Sequence, residues 1–283
     1  MMCATLFGIG ERGHGEARGA RLMQGVPDVH EMIPAERRAR IVEILKERGA
    51  VRVSSLSDDL GVSEMTIRRD LERLGSDGVL SRTHGGAILK RHMAQEPLYT
   101  ESATAHTEQK ERLARAAAAL IRPGDTVFLS SGTTAARVLR HVDPTIEARI
   151  ITENVGAVAE AQGRLEVILL GGVYRPRSNT LDGPLSVELV ARFHAATMIL
   201  GVDGCDLEEG MTTPSVGIAS VERAMIAQTR GDIIVLADSS KIGVVADVVI
   251  CGFDQVDVVM VDDGVDSAVR DEMTRLGVKC VVV

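Results

Sequence analysis

The sequence predicts an α/β protein in two parts, a small helical head followed by a larger body with a mostly parallel, Rossmann-like sheet. Its 283 residues exceed the length of one typical domain. Apolar residues make up 45% of the chain and aromatic residues only 2%. The core is therefore built from Val, Ile, Leu and Ala, which is typical of buried parallel strands covered by helices.

The charge of the chain is divided unevenly between the two parts. The net charge is −8, but residues 34–92 hold 12 Lys or Arg against nine Asp or Glu. Residues 93–283 hold 17 Lys or Arg against 27 Asp or Glu. This distribution argues against a protein coated in nucleic acid and places any contact with a polyanion at the head.

The cysteines and the N-terminal segment indicate the setting in which the chain works. Cys3, Cys205, Cys251 and Cys280 share no CxxC spacing, so we expect no metal site, no disulfide framework and a reduced, cytoplasmic environment. No run approaches the roughly 18 apolar residues of a membrane span, so no membrane partner is expected. Residues 1–33 are glycine-rich and lack a secretory apolar core, which favours a flexible N-terminal extension.

The head is expected to begin with two helices and a short strand. Pro34 fits the first turn of a helix, and Gly49 is a natural stop. Alternating residues at 51–53 predict a small strand. Ser54 or Ser55 can cap the second helix.

A third helix follows the turn at Gly61. Ile67, Leu71 and Leu74 recur with helical spacing and predict its buried stripe. Short hydroxyl, acidic and arginine side chains remain outside the stripe, and these are the candidate DNA-binding residues Ser63, Glu64, Thr66, Arg68, Arg69 and Arg73. Arginine can bond guanine in a major groove, while hydroxyls reach phosphates or base edges. The alternative is an ordinary solvated face on which Asp70 and Glu72 neutralise the arginines.

A basic hairpin completes the head, predicted as a winged helix-turn-helix DNA-binding domain over residues 34–90. The segment from Arg82 to Gly86 predicts the wing, and Arg82 and His84 would lie against phosphates or the minor groove. His84 can equally be an ordinary surface residue. The expected partner is a double-stranded DNA operator.

After a linker predicted over 91–107, the body over 108–283 repeats an apolar strand, a polar turn and a helix. The strands are expected at 127–129, 149–151, 167–170, 198–200, 233–236, 258–261 and 279–283. In parallel α/β sheets ligands bind beyond the carboxyl ends of the strands. The polar turns after these strands all fall on that edge, so we expect a ligand site there.

One turn, Ser130-Ser131-Gly132-Thr133-Thr134, predicts a phosphate site. Glycine flanked by hydroxyls at a helix start offers free N–H groups, hydroxyl donors and a positive dipole end. Plain helix capping explains the pattern equally well. The turn lacks the Gly-Lys-Ser/Thr of a Walker A loop and the GxGxxG of a dinucleotide site, so no cofactor is expected.

Further candidate effector-binding residues lie in the neighbouring turns. Lys241 can pair with a phosphate or with a carboxylate, although a surface lysine is the simpler interpretation. Asp203 and Asn154 can bond sugar hydroxyls, or each can be only a turn-former. The remaining candidates at this edge are Thr152, Gly171, Gly172, Asp238 and Ser240.

The run from Arg37 to Ala87, with TIRRDLERL and RTHGGA, resembles the DeoR family of bacterial transcriptional regulators. The body resembles the family's sensor domain through GTT at 132–134, ITEN, the glycine pair at 171–172, GVDG and ADSSK. The resemblance implies a winged helix-turn-helix head and a body, similar to sugar-phosphate isomerases, that binds phosphorylated sugars or related metabolites. Two departures touch the expected pocket: Ser130-Ser131 stands where many relatives have Asp, and Glu153 separates Thr152 from Asn154.

The leading hypothesis is a DNA-binding repressor of a carbohydrate operon, controlled by a phosphorylated sugar and assembled as a homodimer or homotetramer. One alternative is a sugar-phosphate isomerase that carries a DNA-binding module, with Asp203, Asp238 or Glu153 as general base. Spacing shows no paired acid and base, so no catalytic residue is assigned. Another alternative is a transcriptional activator.

Overall fold

The computed structural model describes residues 32–283 of the chain. The extension expected at 1–33 therefore lies, except for its last two residues, outside the described residues. Among the residues described, no helix is long and apolar enough to cross a membrane.

The head consists of three helices and a three-stranded antiparallel sheet, and its elements run in the order α1 (Pro34–Arg48), β1 (Ala50–Arg52), α2 (Val53–Leu60), α3 (Glu64–Ser76), β2 (Leu80–Thr83) and β3 (Gly86–Leu89). The strand order is β1-β3-β2. Its core is formed where α1, α2 and α3 meet around Ile41, Leu56 and Ile67. The winged helix-turn-helix is confirmed.

The start of α2 differs from the prediction. The helix begins at Val53 rather than after Ser54 or Ser55, and no side chain caps it. The Val53 amide instead donates to the Gly85 carbonyl of the wing at 2.8 Å. A tertiary main-chain bond has taken the place of a serine cap, which local sequence cannot reveal.

The segment predicted as a linker contains β4 (Arg91–Met93) and α4 (Tyr99–Thr104). The Arg91 guanidinium donates to the carbonyls of Ser240 and Ile242 at 2.8 and 2.9 Å. Polar contacts of this kind hold the segment to the body, although it has few apolar anchors. The domain boundaries at 90 and 107 stay predictions.

The body alternates strands and helices, in the order α5 (Thr107–Ala118), β5 (Thr126–Leu129), α6 (Thr133–His141), β6 (Arg149–Thr152), α7 (Val155–Ala161), β7 (Glu166–Leu169), β8 (Val173–Arg175), β9 (Thr180–Asp182), α8 (Pro184–Val190), β10 (Thr197–Gly201), β11 (Gly204–Asp206), β12 (Gly210–Thr213), α9 (Val216–Gln228), β13 (Ile233–Ala237), β14 (Val244–Ala246), β15 (Val248–Cys251), β16 (Val258–Val261), α10 (Ser267–Arg275) and β17 (Lys279–Val282). Short 3₁₀ turns cover Ser239–Lys241 and Phe253–Gln255.

Seven of these strands form one parallel sheet in the order β17-β16-β13-β10-β5-β6-β7. Each overlaps a strand expected from the sequence, and the α/β class is confirmed. Two apolar clusters, one around Phe128 and one around Leu129, follow from the alternation of side chains along β5. The sheet is therefore buried on both faces.

Smaller strand pairings lie outside the main sheet, and the sequence did not predict them. β11, β12 and β15 form an antiparallel sheet, β8 pairs with β9, and β4 runs parallel to β14. The last pairing joins the segment after the wing to the body. A second junction is polar: Ser81 in β2 donates to Asp206 in β11 at 2.6 Å, and both side chains are buried.

Candidate DNA-binding face and effector pocket

The start of α3 is held by its own hydroxyl residues. The Ser63 side chain accepts from the Thr66 amide at 3.3 Å and lies 3.0 Å from the Thr66 hydroxyl. Glu64 pairs with Arg68 at 3.2 Å across one helical turn. These four candidate residues thus share one end of the helix, where a recognition helix meets base edges.

Asp70 and Glu72 do not pair with the arginines of α3, as the solvated-face alternative requires, although Glu64 does pair with Arg68. Asp70 is buried and turned inward, and it accepts from Arg37 of α1 at 2.5 Å. Glu72 pairs with Arg82 of the wing at 3.3 Å. Arg69 is exposed and forms no ion pair with any residue in 32–283. Arg69 is therefore the arginine of α3 most available to an external partner.

Arg73, Arg82 and His84 complete the predicted DNA-binding set, and all three are exposed. Arg73 pairs with Asp77 at 3.4 Å, with 68% of the arginine side chain exposed. Exposed pairs of this kind contribute little energy and can be exchanged for phosphate contacts. The structure thus leaves these charges at the surface of α3 and the wing.

Part of this face is turned toward the body. The main-chain amide of His84 donates to the Glu272 carboxylate of α10 at 2.9 Å. Arg52 and Ser267 form a second hydrogen bond nearby. A cleft between head and body is lined by Glu64, Arg68, His84, Asp271 and Arg275, among others. Helix α10 of the body, which holds two acidic and two basic residues, therefore lies beside one edge of the predicted DNA-binding face.

The phosphate turn predicted from the sequence borders a pocket of the body. Gly132 adopts φ of 92°, a conformation that favours glycine, and no side chain caps α6 behind it. The free N–H groups at the start of α6 thus remain available. The pocket encloses about 460 Å³, including space open to solvent, and is lined by Ser102, Lys110, Ser131, Gly132, Thr133, Thr134, Gly201, Val202, Asp203, Thr213, Glu222, Lys241 and Ile250.

Two lysines give one wall of the pocket its positive charge. Lys110 of α5 is almost fully buried, and its ammonium donates to the Ser102 carbonyl at 2.5 Å and to the Thr133 hydroxyl at 3.2 Å. Burial lowers the pKa of Lys110 to about 8, Asp238 opposes that effect, and the charge of Lys241 adds to it. Neither lysine forms a salt bridge within the part of the chain described here. This wall is suited to an anion.

The structure brings six of the predicted effector-binding residues to this pocket: Ser131, Gly132, Thr133, Thr134, Asp203 and Lys241. Asp203 accepts from the Thr213 hydroxyl at 2.8 Å. The grouping follows from parallel strands whose carboxyl ends share one edge, as the sequence argument requires.

The other seven candidates do not line the pocket, and five of them form hydrogen bonds within the turns around it. Ser130 accepts from the Gly201 amide at 2.8 Å. Asn154 caps α7 and donates to the Gly132 carbonyl at 2.8 Å, while Thr152 accepts from the Asn154 amide at 3.0 Å. These buried hydrogen bonds hold the phosphate turn in place.

The remaining four candidates lie in neighbouring turns. Asp238 accepts from the Ser240 amide at 3.0 Å and so fixes the turn that presents Lys241. A Cβ at Gly172 would lie 2.4 Å from the Asp182 carbonyl oxygen, so the backbone passes too closely for a side chain. Gly171 packs against Leu185 of α8.

Sequence reasoning missed Ser102, Lys110, Thr213 and Glu222. A signal for two of them was present. Lys110 occupies the same helical stripe as Leu113 and Ala114, and Glu222 shares a stripe with Ile218 and Met225. A charged residue on an apolar stripe indicates a buried functional or paired group, and this pattern is the signal that could have identified Lys110 and Glu222.

Two carboxyl groups meet behind the pocket. Glu222 accepts from the Ser131 hydroxyl at 2.9 Å, and its second oxygen is buried without a partner. Glu153 is fully buried, and neither of its oxygens has a hydrogen-bond partner. Burial raises the pKa of Glu153 to about 8. Burial, then the charge of Glu153, raises the pKa of Glu222 well above its usual range.

Within residues 32–283, no group of three or more His, Cys, Asp or Glu side chains could hold a metal ion.

Two family models match the chain in the order of its two parts. The DeoR-like helix-turn-helix domain matches residues 37–92, and the DeoR C-terminal sensor domain matches residues 105–263. The second match alone covers more than half of the chain.

Curated relatives match nearly the whole length. The HTH-type transcriptional regulator GlpR of Haloferax volcanii is 33% identical over 88% of this chain and 98% of its own. The glycerol-3-phosphate regulon repressor of Escherichia coli is 31% identical over 82% and 92%. The transcriptional repressor AccR of Agrobacterium fabrum is 30% identical over 87% and 96%. Since both family domains and these relatives agree with the fold, the chain belongs to the DeoR family and is a DNA-binding transcriptional regulator rather than an enzyme.

Proposed function

We propose that the protein is a transcriptional repressor of a carbohydrate operon and that a phosphorylated sugar bound in the body controls its affinity for an operator. The observation that carries the proposal is the pair Lys110 and Lys241 facing the uncapped start of α6. Unpaired ammonium groups and free N–H groups suit a phosphate monoester. Two of the relatives above are named repressors, one of a glycerol-3-phosphate regulon.

The rest of the pocket is suited to the polar body of a sugar. Asp203, Thr213 and Thr134 offer further acceptors and donors on its walls. A compound with a phosphate and several hydrogen-bonding groups therefore fits better than an apolar ligand.

The proposed output is a change in the arrangement of the heads. A homodimer or homotetramer would place two α3 helices in successive major grooves. The effector can shift the balance only if it binds the DNA-free and DNA-bound arrangements with different affinities.

Binding of the purified full-length protein to the promoter upstream of its own operon tests the proposal. We expect a sequence-specific, salt-sensitive shift that sugar phosphates weaken. Arg69→Ala should reduce affinity by roughly 1–3 kcal/mol, if the side chain contacts a base. Arg115→Ala removes an exposed arginine from α5 and serves as the matched control.

Two outcomes would count against the proposal. If Arg69→Ala binds the promoter as tightly as the wild type, α3 does not contact DNA through Arg69. If no sugar phosphate alters promoter binding, the effector is not a phosphorylated sugar. A reporter gene in a deletion strain distinguishes a repressor from an activator. If reporter expression falls when the gene is deleted, the protein is an activator.

A further inference from the structure

The buried carboxyl pair beside the pocket has no positive partner. Glu222 lines the pocket from α9, is 1% exposed, and uses only one oxygen to accept from Ser131. Its other oxygen is buried and unpartnered. Within residues 32–283 neither Glu222 nor Glu153 forms a salt bridge. Buried carboxylates are costly unless they are paired, so the pair lacks a partner that a ligand can supply.

Glu153 adds a second buried carboxyl group that lacks a positively charged partner within residues 32–283. It follows β6 directly, is fully buried, and has no hydrogen bond to a side chain within residues 32–283. The main-chain amides of Glu153 itself and of Ser131 offset only part of the burial that raises its pKa to about 8. The charges of Glu153 and Asp203 both add to the burial that raises the pKa of Glu222. In the empty pocket at neutral pH, the pair therefore retains at least one proton.

The pocket is lined by groups of both kinds. Lys110 and Lys241 lie on its wall with the start of α6, while Glu222, with Glu153 close to it, contributes a carboxyl that retains its proton at neutral pH unless a cation lies beside it. Asp203 is already engaged by Thr213. A neutral hydroxyl does not compensate a buried negative charge on this pair. A cation does.

We propose that the effector carries a primary ammonium group as well as its phosphate, and that this ammonium lies against Glu222 with Glu153 behind it. The ligand class is a phosphorylated amino sugar. This inference rests on the proposed function and narrows it. On binding, the ammonium keeps its protons, the carboxyl pair releases one proton to solvent, and the phosphate lies against the two lysines. No bond other than O–H is broken.

Matched ligands that differ only in the amino group provide the test. Titration calorimetry of the full-length protein at pH 7 would compare glucosamine 6-phosphate with glucose 6-phosphate, and galactosamine 6-phosphate with galactose 6-phosphate. In at least one pair we expect the amine to bind about tenfold more tightly or better, as a charge-assisted hydrogen bond implies.

Proton release is the second measurement. In two buffers of different ionisation enthalpy, the amine should release up to about one proton per site more than its hydroxyl counterpart. The other titrating groups near the pair are Asp203, Lys110, Lys241 and Cys251, together with the ligand's phosphate. They are common to both members of a ligand pair, so the difference reports the carboxyls.

Variants assign the effect to the pair. Glu222→Gln keeps the shape and can still accept from Ser131 but removes the charge, so the amine-to-hydroxyl affinity ratio should fall toward one. Glu153→Gln should lower the same ratio, and it keeps the test valid if the first variant does not fold. Glu188→Gln changes an exposed carboxylate on α8 and should leave the ratio unchanged.

Three outcomes would contradict different parts of the proposal. If the hydroxyl sugar binds as tightly as the amine in both pairs, the ammonium inference fails and the proposed function stands. If an amine preference survives both glutamine variants, the carboxyl pair is not its cause. If none of the four ligands binds, the inference fails and hexose 6-phosphates are removed from the proposed effectors.

Discussion

The main-chain amide of His84, at the tip of the wing, donates to the carboxylate of Glu272 in α10 at 2.9 Å. In a winged helix bound to DNA, amides and cations of the wing face phosphates. Glu272, which also pairs with Arg275 at 2.5 Å, therefore occupies an amide that a DNA phosphate could use, and we expect the body and DNA to compete for the wing tip in this arrangement.

Glu272→Gln should raise operator affinity, because it removes a charge that repels phosphate and weakens the contact to His84. We expect about a three- to tenfold gain, in line with a charged hydrogen bond of modest exposure. Fluorescence anisotropy with a labelled operator would measure it. Glu166→Gln, at the edge strand β7, is the control, and equal affinities for the two variants would mean that α10 does not compete with DNA.

Asp70→Asn should destabilise the head, because Asp70 is buried between α3 and α1 and accepts from Arg37 and Arg38. A loss of about 2 kcal/mol is expected for a largely buried pair that loses one charge. Thermal unfolding followed by circular dichroism would detect it. Asp77→Asn breaks the exposed pair with Arg73 and should cost far less. Equal effects would show that the Asp70 contact is not structural.

Binding of a sugar phosphate should weaken above pH 8. Burial lowers the pKa of Lys110 to about 8, so the ammonium that faces the phosphate loses its proton in that range. Affinity should then fall by up to about tenfold per pH unit. Because the unfolded chain binds this proton more tightly, the free energy of unfolding should also rise from about pH 8 toward the ordinary lysine pKa.

The measurement is the Kd of a sugar phosphate between pH 6.5 and 9.5. Glu153, whose pKa burial raises to about 8, titrates in the same range. It is present in wild type and in Lys110→Gln alike, so the difference between their curves isolates the lysine. Parallel curves would exclude Lys110 from the phosphate contact.

Ser81→Ala should loosen the junction between head and body. The Ser81 hydroxyl donates to Asp206 at 2.6 Å, and the variant leaves a buried carboxylate oxygen without that donor, at a cost of about 1–3 kcal/mol. Faster hydrogen exchange in β2 and β11 is the expected result. Ser76→Ala, at the end of α3, removes an exposed hydroxyl and should leave exchange there unchanged.

The main sheet could be read from the sequence because each of its strands is a short apolar run followed by a polar turn. Val127 and Ile199 are typical: both are buried, and both precede a turn at the binding edge. The antiparallel β11, β12 and β15 were missed because their pairing depends on partners distant in the chain. Gly204–Asp206 has no apolar alternation that marks it as a strand.

The pocket was predictable only on the side formed by turns. Ser131, Thr133 and Lys241 follow strands, so topology alone brings them together. Lys110 and Glu222 lie within helices, and only their position on an apolar stripe distinguishes them from surface charges. The inward orientation of Asp70 depends on Arg37, 33 residues away, which no local pattern specifies.

The parallel pairing of β4 with β14 has a mechanical consequence. Arg91 follows the wing in the chain, and its guanidinium donates to the carbonyls of Ser240 and Ile242, the two residues that flank Lys241. If a ligand of the proposed class draws Lys241 toward its phosphate, we expect the displacement to reach β4, the strand that connects the head to the body. We therefore expect ligand binding to change the position of α3 relative to the body.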